Sequence, residues 1–501
     1  MIPWQPSAAS GVRVPGPAFA GASSMVFSST TFLFAFLPLT LLAVWLSPAR
    51  VRRFVLLGAS VLFYIWGVQE FVLAVIGSTL LDWALALGIR QARETGRRRR
   101  AAVLLCVGLV QNLALLGYFK YAGFFAEQIT ELANALGQDG TLAVSVALPI
   151  GISFFTFEKI SYLVDVWRGD VEPKRDPSQV LLFVFLFPRS IAGPIVRLRE
   201  IQHELREPRP RLEQVSAGAT RFAYGLAKKV LIADQIAPVA DAAFAAAGDG
   251  SLTTSAAWIG ALAYALQLYF DFSGYSDMAI GIGMMLGFRL PENFNRPYSS
   301  VSITDFWRRW HMTLSRWFRD YVYISLGGNR HGERATYRNL AIVFVLTGFW
   351  HGAQWAFVLW GLYHGAWMLI ERRMGWRAVD GPVRFVPLRR AITFLIVLIG
   401  WVLFRAEHLD LALDYYRAMV SFDGGLTPAV QTALTSQRTW ALAVAAVILV
   451  LPGTICGGRW VSERLGIAPL AARTATLAFL FPLALVFAFS ETFSPFLYFQ
   501  F

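Results

Sequence analysis

The sequence has few charged residues for its length. Only 15% of its 501 residues are Asp, Glu, Lys or Arg, whereas 56% are hydrophobic, and a soluble domain carries about a quarter charged residues. Apolar runs long enough to cross the hydrocarbon core of a bilayer, which takes about 17–25 residues, recur along the chain. The composition therefore excludes an ordinary soluble protein and predicts an all-α polytopic membrane protein.

Cysteine and the common catalytic motifs are also scarce. The two cysteines, Cys106 and Cys456, lie in or beside apolar runs and indicate neither a disulfide framework nor a metal site. There is no H-E-x-x-H motif, no Cys/His cluster and no G-x-S-x-G nucleophile elbow. We therefore expect no metal and no permanently bound cofactor.

Acidic residues are outnumbered, which leaves a formal net charge of +13. In a membrane protein this excess is explained by Arg and Lys in cytoplasmic loops. No motif that reads DNA or RNA is present, so we expect membrane lipid, and no nucleic acid, as a partner.

Two arginine-rich stretches predict the orientation. SPARVRR (47–53) and RQARETGRRRR (90–100) flank the apolar spans 54–68 and 71–89. A helical hairpin would put both stretches on one side, which the positive-inside rule makes cytoplasmic. The connection 371–390 should share that side, and the start of the mature chain should face outward.

The first 24 residues lack both the basic region and the continuous apolar region of a secretory signal. We expect them to be a disordered extension or an untranslated stretch. Met25 would then be the natural start of a single membrane domain, 25–501.

The apolar spans predict roughly ten to twelve crossings, together with re-entrant and in-plane helices. No internal repeat is visible, which disfavours the repeat-built transporter folds. The spans lie near 30–47, 54–68, 71–89, 102–119, 143–163, 179–196, 218–247, 255–288, 339–371, 391–405, 440–456 and 474–490.

One apolar stretch, TGFWHGAQWAFVLWGLYHG (347–365), contains no Asp, Glu, Lys or Arg but holds His351 and His364. Titratable groups are costly in such surroundings and tend to be functional. On one continuous helix the two rings would point to nearly opposite sides, so they could not share a site. We expect His351, between Trp350 and Gly352, to do the chemistry, and His364 to pack or support.

A second histidine lies in DFWRRWHMTLSRWFRDYVY (305–323). Wound as a helix, this segment has an aromatic face and a basic face, which predicts a helix at the membrane interface. His311 falls on the aromatic face with Trp310. Either a hydrogen-bonded core histidine or a site residue fits that position.

Polar groups inside apolar surroundings mark a candidate pocket. Asp271 and Asp277 lie in the run 266–288, and intramembrane carboxylates line cavities, pair with cations or stabilise broken helices. The polar loop PENFNRPYSS (291–300) leads into the histidine segment and should border the same vestibule.

Two further stretches are informative. Lys228 and Lys229 in GLAKKVLIADQ (225–235) either extend to lipid headgroups or meet the phosphates of a donor. FPRSIAGPIVR (187–197) combines two prolines and a glycine, which favours a kinked or re-entrant element over a straight span.

Taken together these motifs resemble the bacterial polysaccharide O-acetyltransferases of the membrane-bound O-acyltransferase family, most closely the alginate O-acetylation branch. The resemblance runs from Met25 to Phe501 in order. It is carried by LPIGISFFTFEKISYLVDVWRG, FPRSIAGPIVR, GLAKKVLIAD, YFDFSGYSDMAIGIGMMLGFRLPENFNRPY, DFWRRWHMTLSRWFRDYVYISLGG, TGFWHGAQWAFVLWGLYHG and FLYFQF.

The resemblance implies a ring of tilted helices around a thin central region in the bacterial inner membrane, with a funnel from each side. It implies that His351 in W-H-G is catalytic and that His311 in W-R-R-W-H-M is the second signature histidine. The donor would be cytoplasmic acetyl-CoA or a related thioester. The acceptor would be a polysaccharide hydroxyl or a periplasmic partner acyltransferase.

In this interpretation His351 is the general base, and His311 or the Trp310 indole donates to the oxyanion. Other acceptors (cellulose, peptidoglycan, or D-alanyl transfer to teichoic acid), a lipid-linked sugar transporter and a non-catalytic scaffold stay open as alternatives. The residues that we expect to line the pocket are Trp310, Trp350, Asp271, Asp277, Asn293, Arg296, Tyr298 and Trp355, with Lys228 and Lys229 on the donor.

Overall fold

The structure, a computed structural model, describes residues 26–68, 71–138, 140–142, 144, 146, 148–376, 384–451, 469–490 and 496–497. These residues form helices joined by turns and loops, with no β-strand among them. The all-α prediction is confirmed. The predictions for residues 1–24 and Met25 lie outside the described residues.

The α-helices are numbered along the described chain. They are α1 (Leu37–Leu46), α2 (Ala49–Val68), α3 (Phe71–Glu94), α4 (Arg98–Leu116), α5 (Ala122–Ala135), α6 (Ile152–Arg168), α7 (Ser178–Phe185), α8 (Leu198–Arg206), α9 (Leu212–Ala227), α10 (Asp234–Gly248), α11 (Thr254–Met285), α12 (Ile303–Trp307), α13 (Met312–Trp317), α14 (Gly332–His351), α15 (Trp355–Arg373), α16 (Val386–Arg405), α17 (Leu409–Val420), α18 (Pro428–Ala433), α19 (Ser436–Val450), α20 (Pro469–Ala475) and α21 (Phe481–Ser490). Wider π-helical turns occur at Phe32–Phe36, Gly117–Tyr121, Lys228–Ala233, Phe318–Tyr323 and Thr476–Leu480, and a 3₁₀ turn at Pro297–Ser299.

Several of these helices can cross a membrane. In the described part of the chain, five stretches are long and apolar enough, namely Phe71–Glu94, Arg98–Ala135, Leu212–Gly248, Val386–Arg405 and Leu470–Ser490. The 32-residue helix α11 is buried along nearly its whole length and forms the centre of the bundle. The protein is therefore a multi-pass membrane protein, and the total of ten to twelve crossings stays a prediction.

Helices α9 and α11 run antiparallel in close contact. A Cβ on Gly225 would lie 2.5 Å from the carbonyl oxygen of Gly274, so only a residue without a side chain fits there. Small residues at helix contacts let backbones approach in membranes, where packing replaces the hydrophobic effect between helices. This contact places the end of α11 beside the start of α9.

The arginine-rich stretches meet on one face of the bundle. Arg52 donates to the carbonyl of Pro208 at 2.9 Å, and Arg53 pairs with Asp176 at 2.7 Å. Arg90 pairs with Glu172 at 3.1 Å. Stretches 47–53 and 90–100 therefore lie on the same face, as predicted, and we call it the Arg-rich face.

The segment 347–365 is not one helix. Helix α14 ends at His351, the chain turns through Gly352–Gln354, and α15 runs back antiparallel to α14. A Cβ on Gly352 would lie 2.2 Å from the ring of Phe357, so a glycine lets α15 return this close to the end of α14. The premise of a continuous helix was therefore wrong, and both His351 and His364 contact Trp360, with ring centroids 5.1 Å apart in each case.

The segment 305–323 is also broken, so the prediction of one continuous helix was wrong, whereas its position at the membrane interface stays a prediction. Helix α12 ends at Trp307, and α13 starts only after His311, whose φ of +42° lies in the left-handed region. The aromatic residues of the segment, except Tyr323, are buried in the bundle core. Packing in the core therefore determined the backbone here, and not the amphipathic periodicity. The break changes the direction of the His311 side chain.

Residues 187–197 connect α7 to α8 without forming a helix, and most of them are fully buried. Arg189 is paired with Glu158 inside the bundle, and the amide of Ile195 donates to the Thr313 hydroxyl at 3.0 Å. A buried irregular segment needs such partners because lipid offers none. The prediction of a non-straight element here is confirmed.

Candidate active site

His351 is the last residue of α14 and only 5% exposed. Its ring contacts Trp350, Trp360 and Phe404 edge-on, with centroid distances of 4.8, 5.1 and 5.1 Å. Packing against three aromatic rings restricts the rotation of the imidazole. A group held in one orientation is suited to act on a bound substrate without reorganising.

Sequence reasoning missed the residue that holds the backbone at this histidine. The ammonium of Lys120 donates to the carbonyls of Trp350 at 2.5 Å and of His351 at 3.0 Å. Next to it, the Tyr121 hydroxyl donates to the carbonyl of Phe349 at 2.9 Å. The signal was a lysine inside the aromatic stretch GYFKY (117–121).

His311 is held by the amide side chain of Asn293. Nδ1 lies 3.1 Å from the Asn293 Oδ1 atom, which also accepts from the Thr313 hydroxyl at 2.8 Å. The amide nitrogen of Asn293 faces Ser276 at 3.2 Å, which fixes the orientation of the amide. Because a carbonyl oxygen only accepts, Nδ1 carries the proton and Nε2 is the basic nitrogen of a neutral His311.

The two histidines lie close together. The Trp350 ring contacts both of them, at 6.3 Å from His311 and 4.8 Å from His351, measured between ring centroids. His311 and Lys120 are both near enough to His351 to interact with it electrostatically. The structure thus brings together His311, Trp350 and His351, three of the residues singled out from the sequence, and their catalytic roles stay predictions.

A cavity of about 310 Å³ lies on the other side of Asn293 from His311, and none of the three cluster residues is part of its described wall. Its wall includes the loop 292–299 and the face of α11 between Tyr269 and Ile280. Asn293 is part of the wall, so the residue that holds His311 also borders the cavity. The lining part of α11 belongs to the half of the helix that leads to Gly287, which packs against Arg209 next to Pro208, the partner of Arg52. The cavity is therefore in the half of the bundle nearer the Arg-rich face.

Charged groups form a network at the cavity. Asp277 accepts from Lys228 at 2.5 Å and from Arg221 at 2.8 Å, and Arg221 also binds Glu292 at 2.5 Å. Arg221 and Glu292 were not singled out from the sequence, because a lone charge beside an apolar span is typical of a surface position. In the fold they join the predicted Asp277 and Lys228.

Of the remaining predicted pocket residues, Arg296 and Tyr298 line the cavity. Trp310 packs against Tyr298 and Trp401, with centroid distances of 5.9 and 4.9 Å. Trp355 lies apart from the cluster, 53% exposed, and donates to Gln128 at 3.0 Å.

Asp271 and Lys229 do not line the cavity in the described structure. They form a buried ion pair at 2.7 Å, and Lys229 also binds Asp234 at 2.8 Å. The other oxygen of Asp271 accepts from the backbone amide of Leu497 at 2.9 Å. Their position is that of a structural anchor inside the bundle.

His364 is fully buried among the rings of Phe306, Trp307, Tyr363 and Trp360. Neither ring nitrogen has a hydrogen-bond partner among the described residues. Within the same part of the chain, no three His, Cys, Asp or Glu side chains lie together in a way that could hold a metal ion.

Comparison with known proteins adds the decisive observation. The family model of the membrane-bound O-acyltransferases matches residues 110–378, which include Lys120, His311 and His351. The chain belongs to the membrane-bound O-acyltransferase family. It is therefore an acyltransferase. The two alternatives from the sequence that were not enzymes, a transporter and a non-catalytic scaffold, are set aside.

Relatives of this acyltransferase modify cell-surface polymers, according to their names. The chain is 44% identical over 507 residues to the probable alginate O-acetylase AlgI of Azotobacter vinelandii, with 95% of this chain and 100% of the relative covered. It is 36% identical over 435 residues to the peptidoglycan O-acetyltransferase of Helicobacter pylori, with 80% of each chain covered. To the teichoic acid D-alanyltransferase of Bacillus subtilis it is 29% identical over 213 residues, 40% of this chain and 53% of that one.

Proposed function

We propose that this acyltransferase O-acetylates a polysaccharide across the bacterial inner membrane, with the Arg-rich face in the cytoplasm. A thioester such as acetyl-CoA would deliver the acetyl group from that face, and a hydroxyl at the opposite face would accept it. The proposal is supported above all by the spatial order of the cavity, Asn293 and the two histidines. The cavity borders Asn293, Asn293 holds His311, and His311 and His351 flank Trp350.

The cavity suits the donor. CoA is a large polyanion, and a site lined by cations concentrates anions. Arg221, Lys228 and Arg296 line the cavity and outnumber its two acidic residues, Asp277 and Glu292, whereas Lys229 is not part of the cavity wall. Of the two lysines considered for the donor, we therefore propose only Lys228. The cavity volume of about 310 Å³ is at the small end of the range for ligand pockets. The cavity would therefore hold the thioester arm of the donor, and the nucleotide would stay outside.

In the proposed reaction His351 removes the proton from the acceptor hydroxyl as its oxygen attacks the thioester carbonyl. The tetrahedral adduct then collapses, the C–S bond breaks, and the thiolate leaves with a proton from the imidazolium. The products are an acetyl ester and free CoA. A positioned base of this kind contributes about 10²–10⁴-fold to the rate.

His311 fits a proton-relay role better than the oxyanion role. With its Nδ1–H donated to Asn293, a neutral His311 offers an acceptor at Nε2. An oxyanion needs donors, so the indole N–H of Trp310 stays the candidate from the sequence. Removal of His311 should then slow proton transfer without abolishing donor binding.

For the acceptor we propose alginate or a similar exopolysaccharide, directly or through a periplasmic acyltransferase partner. The near full-length alignment with the Azotobacter relative supports this choice. Peptidoglycan is the second candidate, supported by the Helicobacter relative.

The test is transfer of labelled acetyl from acetyl-CoA to alginate oligosaccharides trapped in inside-out membrane vesicles. His351→Ala should lower transfer by at least about a hundredfold, because the base is lost. His364→Leu, which removes the other imidazole of the α14–α15 hairpin, should keep about a third of the activity or more, because it loses only packing.

Transfer that persists in His351→Ala would refute the base assignment. Transfer by the wild type to peptidoglycan fragments in place of alginate would refute the assignment of alginate as the acceptor. Vesicles supplied with the periplasmic partner distinguish relayed from direct transfer.

A further inference from the structure

Lys120 lies at an irregular point in a membrane helix. It belongs to the π-helical turn Gly117–Tyr121, which joins α4 to α5. Such turns are rare and frequently occur at functional sites. Arg100 and Lys120 are separated by about 30 Å at roughly 1.5 Å per helical residue, so Lys120 lies at the opposite end of the span from the Arg-rich face.

A lysine at this depth ordinarily extends its ammonium to the nearby water and headgroups. Lys120 instead points inward, to the carbonyls of Trp350 and His351. Its ammonium also lies 5.7 Å from the centre of the Trp350 ring. These contacts are specific to one target, the C-terminus of α14.

The C-terminus of α14 needs a hydrogen-bond donor. The last carbonyls of a helix have no partner within the helix, and they form the negative end of its dipole. Helix α14 ends at His351, and the chain turns away at once through Gly352. A cation that binds the last two carbonyls therefore fixes the direction in which the backbone of His351 leaves the helix.

We propose that Lys120 is a positioning residue for acyl transfer, which holds the end of α14 so that the His351 imidazole faces the reacting groups. This role rests on the proposed function of His351 as the base. The lysine acts through the backbone of the histidine and does not itself contact the substrate. Its loss should therefore impair turnover more than donor binding.

The test compares variants in a chain whose Cys106 and Cys456 are replaced by Ser. Lys120→Met should lower kcat per folded molecule by about tenfold to a hundredfold, the effect of a misplaced catalytic group. The KM for acetyl-CoA should change by less than about twofold, since uniform binding is unaffected. Lys120→Cys should be equally impaired, and treatment with 2-bromoethylamine, which rebuilds a lysine-like side chain, should restore activity.

The matched control is Lys159→Met. Lys159 is another buried lysine, paired with Asp82 at 3.4 Å. Its loss should lower thermal stability but leave kcat per folded molecule within about threefold, since it holds no catalytic group.

Unchanged kcat in Lys120→Met, or a loss that bromoethylamine does not reverse, would overturn the positioning role. His351→Ala is measured alongside to separate the two proposals. If His351→Ala is inactive while Lys120→Met is fully active, only the role of Lys120 fails. If His351→Ala is active, the proposed function fails and the role of Lys120 fails with it.

Discussion

At the scale of single residues, the sequence predicted the histidines but not what holds them. His311 and His351 stood out because imidazoles are rare in apolar segments. The partners are ordinary residue types at distant positions. Asn293 was predicted only as part of a polar loop that borders the pocket, and Lys120 was not singled out from the sequence at all. Only the fold shows that each of them binds the histidine segment.

The role of Asn293 gives a prediction at this scale. Asn293→Ala removes the acceptor of the His311 Nδ1–H and of the Thr313 hydroxyl. We expect acetyl transfer to fall by about tenfold or more, because the imidazole loses its orientation and its tautomer is no longer fixed. Steady-state rates in vesicles, normalised to folded protein, measure the effect.

Ser276→Ala provides the comparison, because it removes the contact to the Asn293 amide nitrogen and leaves the bond to His311 in place. Its effect should stay below about threefold, as for the loss of one neutral hydrogen bond. Equal losses in the two variants would argue that the whole loop, and not the bond to His311, matters.

At the scale of elements, hydropathy located the helices and missed their breaks. The apolar span 339–371 hides a hairpin, and the amphipathic pattern of 305–323 continues through the left-handed turn at His311. Periodicity reports which face of a helix is apolar, but it carries no information on where tertiary contacts interrupt the helix. Both breaks lie at the histidines. Local sequence patterns commonly mispredict the backbone at functional sites, because function there imposes a different conformation.

The hairpin depends on close packing between α14 and α15. A Cβ on Gly348 would lie 2.2 Å from the carbonyl oxygen of Phe357, a backbone atom that cannot move aside on its own. Gly348→Ala should destabilise the protein by about 1–3 kcal/mol through overpacking. It should also reduce transfer, because Gly348 is one turn before His351.

Thermal unfolding in detergent and acetyl transfer would be measured together. Gly77→Ala is the control, since a Cβ there meets no atom within 4 Å. A Gly348→Ala protein that is as stable and active as the control would contradict the contact.

At the scale of the whole molecule, the charge distribution predicted which helix ends lie on the same face. The two arginine-rich stretches were expected on one side, and their contacts with Pro208, Asp176 and Glu172 bring them to a common face. The sequence predicted that Asp277 and the loop 291–300 border a pocket, but it did not predict that Arg221, Glu292 and the end of α19 complete the wall. Such a site exists only after long-range packing.

The orientation can be tested by labelling cysteines in intact cells with a membrane-impermeant maleimide. With Cys106 and Cys456 replaced by Ser, Thr95→Cys should stay unlabelled until the membrane is opened, because it lies on the proposed cytoplasmic face. Ser251→Cys, at the opposite end of α11, should be labelled from outside. The reverse pattern would contradict the positive-inside assignment.

The bond between Asp271 and the amide of Leu497 has a consequence for biosynthesis. Its partners are 226 residues apart in the chain. At roughly 5–20 residues per second, the ribosome needs about 10 to 45 s to pass from one to the other. During that interval α11 has been synthesised, but one carboxylate oxygen of Asp271 still lacks the hydrogen bond from the amide of Leu497. The buried carboxylate in the middle of α11 therefore gains its last hydrogen bond only when synthesis is almost finished.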